Sequence, residues 1–456
     1  MVTFDHLGAL NVETPGFGEA FLLKHGFDVL NFQKRKENYY QDLSRDCFKQ
    51  VVHNLPNTYD RVCLYGSSLG GYAALYYSIA VESDLIAISP LCSIHPGHNN
   101  VQARHDSRVE WQHDQLQLPT NYHASAVILT DPYDHQDAFF LQGVVRPAFP
   151  EAYVVKVPFG GHPVGEVLSE LGVLKQYIVD VLRREGSRSI STVGIKGRSK
   201  SIVFNMANEA IRRNKTNIAI ALSDRLTSQY QDNVAFAIQS SRAMLNAGLL
   251  DSAFQKALDA IGRSEETGDL QHGAAPLAIT DRAHAGHFVD LGKALTAAKR
   301  YSEASRAFAT AIRLNDEVPW WRYLHASTLY EAKRYEEAIA TLKHKGADAP
   351  HYAEAWNLLG RCHAISGNVT EATRAYSRAH ELRPTWLWPL LQLANLQLGP
   401  GGDPEVGISA LSSFISRESN INERQSLFRL KGKLHELIAE RSLREARRCH
   451  ELANAG

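Results

Sequence analysis

Residues Arg61–Ser78 read RVCLYGSSLGGYAALYYS, and the division of this stretch decides the fold. Val62-Cys63-Leu64-Tyr65 is a short apolar run and predicts a buried strand. Gly66-Ser67-Ser68-Leu69-Gly70-Gly71 is built of small residues and predicts a sharp turn. The Ala-rich run from Tyr72 to Ile79 predicts a helix. Strand, tight turn and helix are the setting that a G-x-S-x-G nucleophile elbow requires. Its serine sits on a strained turn, so Gly66 and Gly70 fall where a side chain would strike the neighbouring strand or helix. The helix N-terminus beneath Ser68 favours developing negative charge. The backbone N–H of Leu69 can then point into an oxyanion hole. Ser68 is the candidate nucleophile.

Outward from the elbow, apolar runs alternate with helical spacings. Strands are expected at Val2-Thr3-Phe4, Phe27–Phe32, Leu85–Ser89, Ala126–Thr130 and Tyr153–Val157. Helices are expected from Gly16 to Lys24, Tyr39 to His53 and Val164 to Leu182, with Pro56-Asn57 ending the second. Such alternation implies a parallel sheet covered by helices on both faces. Ligands of such sheets bind beyond the carboxyl ends of the strands. Three of those ends carry suitable chemistry: Ser68, then Asp131 and Asp134 in TDPYDHQD, then His162 in FGGHPVG. A serine hydroxyl is a poor nucleophile until a base takes its proton, a task for His162. A buried carboxylate would fix the imidazole tautomer and stabilise the imidazolium.

Residues 1–185 resemble a compact α/β-hydrolase domain, with GSSLGG as elbow, TDPYD as acid loop and GGH as histidine loop. The order Ser, Asp, His is that of the family. The chain departs from the family in lacking two leading strands and an H-G-G-G oxyanion motif. Asp5-His6-Leu7-Gly8 stands in the equivalent place, so the resemblance implies His6 or Leu7 as the second oxyanion donor. In the family the acid lies a few residues past the strand end. That favours Asp134, with Asp131 at the strand tip the alternative and Asp137 after it. Asp131 and Asp137 otherwise serve to cap the turn around Pro132 or the following helix. Where the family inserts its lid, this chain has His95, His98, His105, His113 and His123 interleaved with Trp111. Pro96-Gly97 interrupt any helical face there and no Cys or carboxylate pattern completes a metal site. A solvated lid is expected, with an aromatic or two facing the substrate; no metal or cofactor is expected.

Arg183–Lys200, RREGSRSISTVGIKGRSK, reads as a linker, placing the domain boundary at 185 and the linker at 186–200. Beyond it strand signals stop and a repeat begins. Ala304, Ala338 and Ala372 are spaced 34 apart, Phe308, Leu342 and Tyr376 follow each by four, and Pro350 and Pro384 follow Ala338 and Ala372 by twelve. Phe288, Leu291 and Gly292 recur 68 residues later as Trp356, Leu359 and Gly360. The period and pattern resemble the tetratricopeptide repeat. The array is expected over 201–420, with two divergent units at about 200–266 and capping helices at 421–456. The fold class is therefore α/β, an α/β-hydrolase-like parallel sheet domain followed by an all-α solenoid.

Forty-nine basic and 49 acidic residues balance, so nothing advertises a nucleic-acid partner or an anionic membrane. No run reaches the ~18 apolar residues of a membrane span. Five scattered cysteines, Cys47, Cys63, Cys92, Cys362 and Cys449, form no disulfide framework and fit a reducing cytoplasm. The expected activity is hydrolysis of a carboxylic ester with a small or carbohydrate-borne acyl group. Transfer of the acyl group to an alcohol by the same residues, or a non-catalytic adaptor with a hydrolase-like docking domain, are the alternatives. The repeats are expected to recruit a protein or peptide, or to self-associate.

Overall fold

A computed structural model describes residues 1–55, 59–97, 109–114, 116–118, 124–185, 189–190, 199–267, 277–343, 352–415 and 421–454. The apolar segments form one sheet of β1 (Val2–Phe4), β2 (Leu30–Phe32), β3 (Cys63–Ser67), β4 (Asp84–Ile88), β5 (Ala126–Thr130) and β6 (Tyr153–Lys156). Their spatial order is β2-β1-β3-β4-β5-β6, and every pairing is parallel. The helices that intervene are α1 (Glu19–Lys24), α2 (Arg45–His53), α3 (Leu69–Val81), α4 (His135–Phe140), α5 (Arg146–Ala148), α6 (Val164–Glu170) and α7 (Leu174–Arg183).

Side chains alternate across the sheet, and β1, β3, β4 and β5 are buried on both faces. Leu64, Leu85, Ala87 and Ile128 pack with α2 and α3 on one face. Tyr65, Ile86, Ile88, Val127 and Leu129 pack with α1, α6 and α7 on the other. Burial on both faces is why these strands read as continuous apolar runs. Each large aliphatic side chain so buried contributes about 1.5–3 kcal/mol. Helix α3 is apolar all round because it lies inside the unit, with Leu69 to Ser78 buried.

Three expected helices are shorter than their apolar spacing implies, the first beginning only at Glu19 after Gly18, whose φ is 71°. The run from Tyr39 enters α2 only at Arg45, because Tyr39 and Tyr40 have φ of 57° and 61°. The Tyr40 hydroxyl donates to the carbonyl of Asp5 at 3.0 Å and holds that turn against the core. The expected helix Val164–Leu182 is two helices, divided at Gly172, whose φ is 72°. The segment Leu141–Val145 is a π-helical turn joining α4 to α5. The end of the expected Tyr39–His53 segment at Pro56-Asn57 lies outside the described residues.

Packing divides the chain into two compact units, Met1–Ala247 and Gly248–Gly456. Helices α8 (Lys200–Arg212), α9 (Thr216–Gln229) and α10 (Val234–Asn246), which the sequence groups with the repeats, fall within the first unit. Most of the expected linker, residues 186–188 and 191–198, lies outside the described residues. Ser199 caps α8 by accepting from the Ile202 N–H at 3.0 Å. Its hydroxyl donates to Glu170 at 3.1 Å, and the Lys200 N–H donates to the same carboxylate at 2.8 Å.

The second unit is helical: α11 (Leu250–Thr267), α12 (Leu277–Ala297), α13 (Tyr301–Leu314), α14 (Pro319–Glu331), α15 (Tyr335–Lys343), α16 (Ala353–Ile365), α17 (Val369–Leu382), α18 (Leu387–Leu396), α19 (Pro404–Ile415) and α20 (Ile421–Asn454). The repeated residues pair as small against large. A Cβ on Gly292 would lie 2.7 Å from the Phe308 ring, and one on Gly360 2.7 Å from the Tyr376 ring. Ala304, Ala338 and Ala372 are fully buried where paired helices cross. Pro350 lies outside the described residues. The charged C-terminal segment is the one helix α20, whose Leu427 and Leu434 close the apolar cluster of α18 and α19. Among the described residues no helix is long and apolar enough to cross a membrane.

Candidate active site

β3 delivers Ser68 at its carboxyl end. Ser68 has φ 54° and ψ −118° and stands directly before α3. A non-glycine residue in this region costs about 1–3 kcal/mol and persists only where neighbours fix it. The Ser68 N–H donates to the Ile88 carbonyl at 2.8 Å. The Ser68 carbonyl accepts from the N–H groups of Tyr72 at 3.0 Å and Leu91 at 3.1 Å. The glycines are a steric necessity. A Cβ on Gly66 would come 2.1 Å from the Gly70 carbonyl oxygen, and one on Gly70 would come 2.3 Å from that of Phe4.

The loop after β6 brings His162 to Ser68. The Ser68 Oγ and His162 Nε2 are 2.8 Å apart. His162 Nδ1 lies 2.5 Å from Asp137 Oδ1, and the Asp137 side chain is fully buried. The carboxylate against the imidazole is therefore Asp137, not the favoured Asp134 or the alternative Asp131. Asp134 is the N-cap of α4 and accepts from the N–H groups of Gln136 and Asp137, both at 3.0 Å. That cap sets Asp137 one turn further on, facing the sheet. Asp131 is buried and holds the histidine loop, accepting from the N–H of Phe159 at 3.1 Å and of Gly161 at 2.9 Å. Burial pushes the Asp131 carboxyl above its usual range, against the N–H groups of Tyr133, Gly161 and Phe159.

Burial lowers the His162 pKa, but the hydrogen bond and charge of Asp137, with Asp134 and Glu166 behind them, raise it more, so the net shift is upward. The second Asp137 oxygen is occupied too. Ser89 donates to Oδ2 at 2.6 Å, and Thr130 Oγ1 and the Asp131 N–H approach it at 3.2 and 3.3 Å. The Ser89 hydroxyl also accepts from the Val164 N–H at 3.1 Å, tying the acid to the start of α6. Ser89 is buried with φ 41°. Ser89 directly follows β4, and a serine at a strand's carboxyl end is the signal the sequence offers for it.

Leu69 is the first residue of α3, where backbone N–H groups have no acceptor within the helix. His6 and Leu7 line, with Phe17, Ile88 and Leu174, a cavity of about 570 Å³ that includes Ser68. The Lys34 ammonium donates to the His6 carbonyl at 2.6 Å, and the Gly8 N–H donates to Glu37 at 2.7 Å, pinning this loop from behind. In a trans peptide the N–H of Leu7 points opposite to the carbonyl of His6, away from Lys34.

The expected lid differs. His113 is buried against α3, its ring stacked on Tyr76 with centroids 3.9 Å apart. Its Nδ1 is 3.0 Å from the Tyr72 hydroxyl, and burial brings its pKa down to about 4. Trp111 and His95 pack on Tyr72. This aromatic cluster anchors His95, Trp111 and His113 on α3. His98, His105 and His123 lie outside the described residues. Among the described residues no three His, Cys, Asp or Glu side chains are grouped to hold a metal ion. A serine oxygen bonded to an imidazole that is backed by a buried carboxylate can give up its proton to that imidazole.

Residues 295–362 and 353–386 match family models of the tetratricopeptide repeat. The C-terminal half thus carries tetratricopeptide repeats. No curated protein matches the chain. Similar solved structures include YrrB, described as a TPR protein with an unusual peptide-binding site, at 19% identity over 42% of this chain and 89% of its own, with a TM-score of 0.31. Another is the C-terminal part of a TPR repeat-containing protein from Cytophaga hutchinsonii, at 14% identity over 47% and 78%, with a TM-score of 0.34. A third is MamA from Desulfovibrio magneticus RS-1, at 17% identity over 43% and 95%, with a TM-score of 0.30.

Proposed function

We propose that the Met1–Ala247 unit is a serine hydrolase of carboxylic esters and that the repeats engage a protein or peptide partner. One observation carries the reading: the continuous contact from Ser68 Oγ to His162 Nε2 at 2.8 Å and from His162 Nδ1 to Asp137 Oδ1 at 2.5 Å. In the reaction, Ser68 Oγ bonds to the acyl carbon while its proton passes to His162 Nε2. Asp137 stabilises the imidazolium, and the Leu69 N–H with that of His6 or Leu7 receives the charge on the carbonyl oxygen. The C–O bond breaks and the leaving alcohol takes the proton from His162. Water, deprotonated by His162, then releases the acid and restores Ser68. The apolar walls beside Ser68, from Leu7, Phe17, Ile88 and Leu174, suit an acyl chain, and the strained elbow is the backbone this chemistry requires.

The α/β-hydrolase resemblance and the Ser, Asp, His order support the same reading. Arrays of tetratricopeptide repeats present an extended concave surface, which fits the role given to Gly248–Gly456. A panel of p-nitrophenyl esters tests the enzymatic part. Full-length protein is expected to turn over the acetate or butyrate ester, and one equivalent of an organophosphonate per chain is expected to abolish that turnover. No turnover on any ester, or turnover indifferent to the phosphonate, would refute it.

A further inference from the structure

Helix α8 lies outside the sheet domain that the sequence delimits, yet it touches the loop that carries His162. The Asn205 Nδ2 donates to the Phe159 carbonyl at 3.0 Å. A Cβ on Gly161 would lie 2.6 Å from that same Nδ2, so the amide covers the backbone directly before His162. The loop is fixed from two sides. Asp131 takes the N–H groups of Phe159 and Gly161, and Asn205 takes the carbonyl of Phe159. Phe159 needs such fixing, since it has φ 63°, a conformation a bulky side chain rarely adopts. Its ring stacks on Tyr133 at 4.5 Å, and the Arg213 guanidinium, just beyond α8, lies 5.7 Å over the Tyr133 ring. Ser199 and Lys200 tie the start of α8 to Glu170 at the end of α6.

We infer that Asn205 is a positioning residue for His162, and that the catalytic unit extends through α8 instead of ending at residue 185. The inference rests on the proposed hydrolase reading. With the amide in place, the loop holds the imidazole between Ser68 and Asp137. Without it, Phe159 relaxes from its positive φ and His162 loses registry with both partners. Reacting groups misplaced by ~1 Å lose up to about 100-fold in rate.

The test uses the full chain with Asn205→Leu, which keeps the branched shape and removes the donor, and Asn205→Ala, which removes both. Each is expected to lower kcat about 10- to 100-fold with KM within about twofold. The acid limb of kcat/KM is expected to move to lower pH, because His162 loses the Asp137 contact that raises its pKa. A helix contact that only stabilised the fold would change the amount of active protein and leave the limb in place. If Asn205→Ala fails to fold, Asn205→Leu carries the measurement. Folded Asn205→Leu with unchanged kcat and an unchanged limb overturns the inference while the hydrolase reading stands. Wild-type protein without ester turnover overturns both.

Discussion

Asp137→Asn is expected to lower kcat for ester hydrolysis by about 10⁴-fold, while Asp134→Asn leaves it within a few-fold. The two residues lie three apart on one turn, but only Asp137 touches the imidazole, at 2.5 Å. An asparagine there offers an amide where the Nδ1–H requires an anion, so the wrong tautomer faces Ser68 and the developing imidazolium has no counter-charge. Asn is as good an N-cap as Asp, so Asp134→Asn keeps α4 in place at a cost of a few tenths of a kcal/mol. The pH profile separates the two further. Hydrolysis requires the neutral imidazole, so kcat/KM rises as the pH climbs through the His162 pKa. Asp137 raises that pKa, so residual activity of Asp137→Asn has its acid limb at lower pH. Steady-state kinetics over the acid range measures both effects. Equal losses in the two variants would contradict the assignment.

Gly70→Ala is expected to unfold the N-terminal unit. The new methyl would stand 2.3 Å from the Phe4 carbonyl oxygen and 3.1 Å from that of Asp5. Both are backbone atoms of β1 or its exit, inside a six-stranded sheet, and neither can turn away as a side-chain tip would. Relief requires moving α3 off β1, which opens the apolar layer around Phe4, Leu69 and Tyr72. The loss is expected to exceed about 4 kcal/mol, a large part of a typical domain's stability. Gly66→Ala is expected to behave alike, since its methyl would meet the Gly70 carbonyl oxygen at 2.1 Å. Gly143→Ala is the control, with open space around its Cβ position. Chemical denaturation followed by circular dichroism reads the difference. A Gly70→Ala midpoint equal to wild type would mean that the elbow is not packed as described.

The sheet was legible because its inner strands β1, β3, β4 and β5 are buried on both faces and therefore read as apolar runs. The repeats were legible because Gly292 with Phe308, and Gly360 with Tyr376, need the same small–large pairing 68 residues apart. Distance from the strand end points to Asp134, but helix capping occupies that residue. In Asp134-His135-Gln136-Asp137 an N-cap aspartate precedes a second one three residues on, the spacing of a helix start. Read that way, Asp134 is spent on backbone N–H groups and Asp137 is left to face His162. Helix lengths failed where positive φ angles at Tyr39, Tyr40 and Gly172 interrupt apolar spacings that would otherwise continue. Asn205 had no local signal, because its partner is a carbonyl 46 residues away.

The central claim is that Ser68 is a nucleophile activated by its neighbours, and covalent capture tests it most directly. Full-length protein treated with a fluorophosphonate, digested and mapped by mass spectrometry is predicted to carry one adduct per chain, localised by fragmentation to Ser68. Ser68→Ala is predicted to carry none. An unmodified Ser68 in active-site-intact protein, or equal labelling of wild type and Ser68→Ala, would contradict the account.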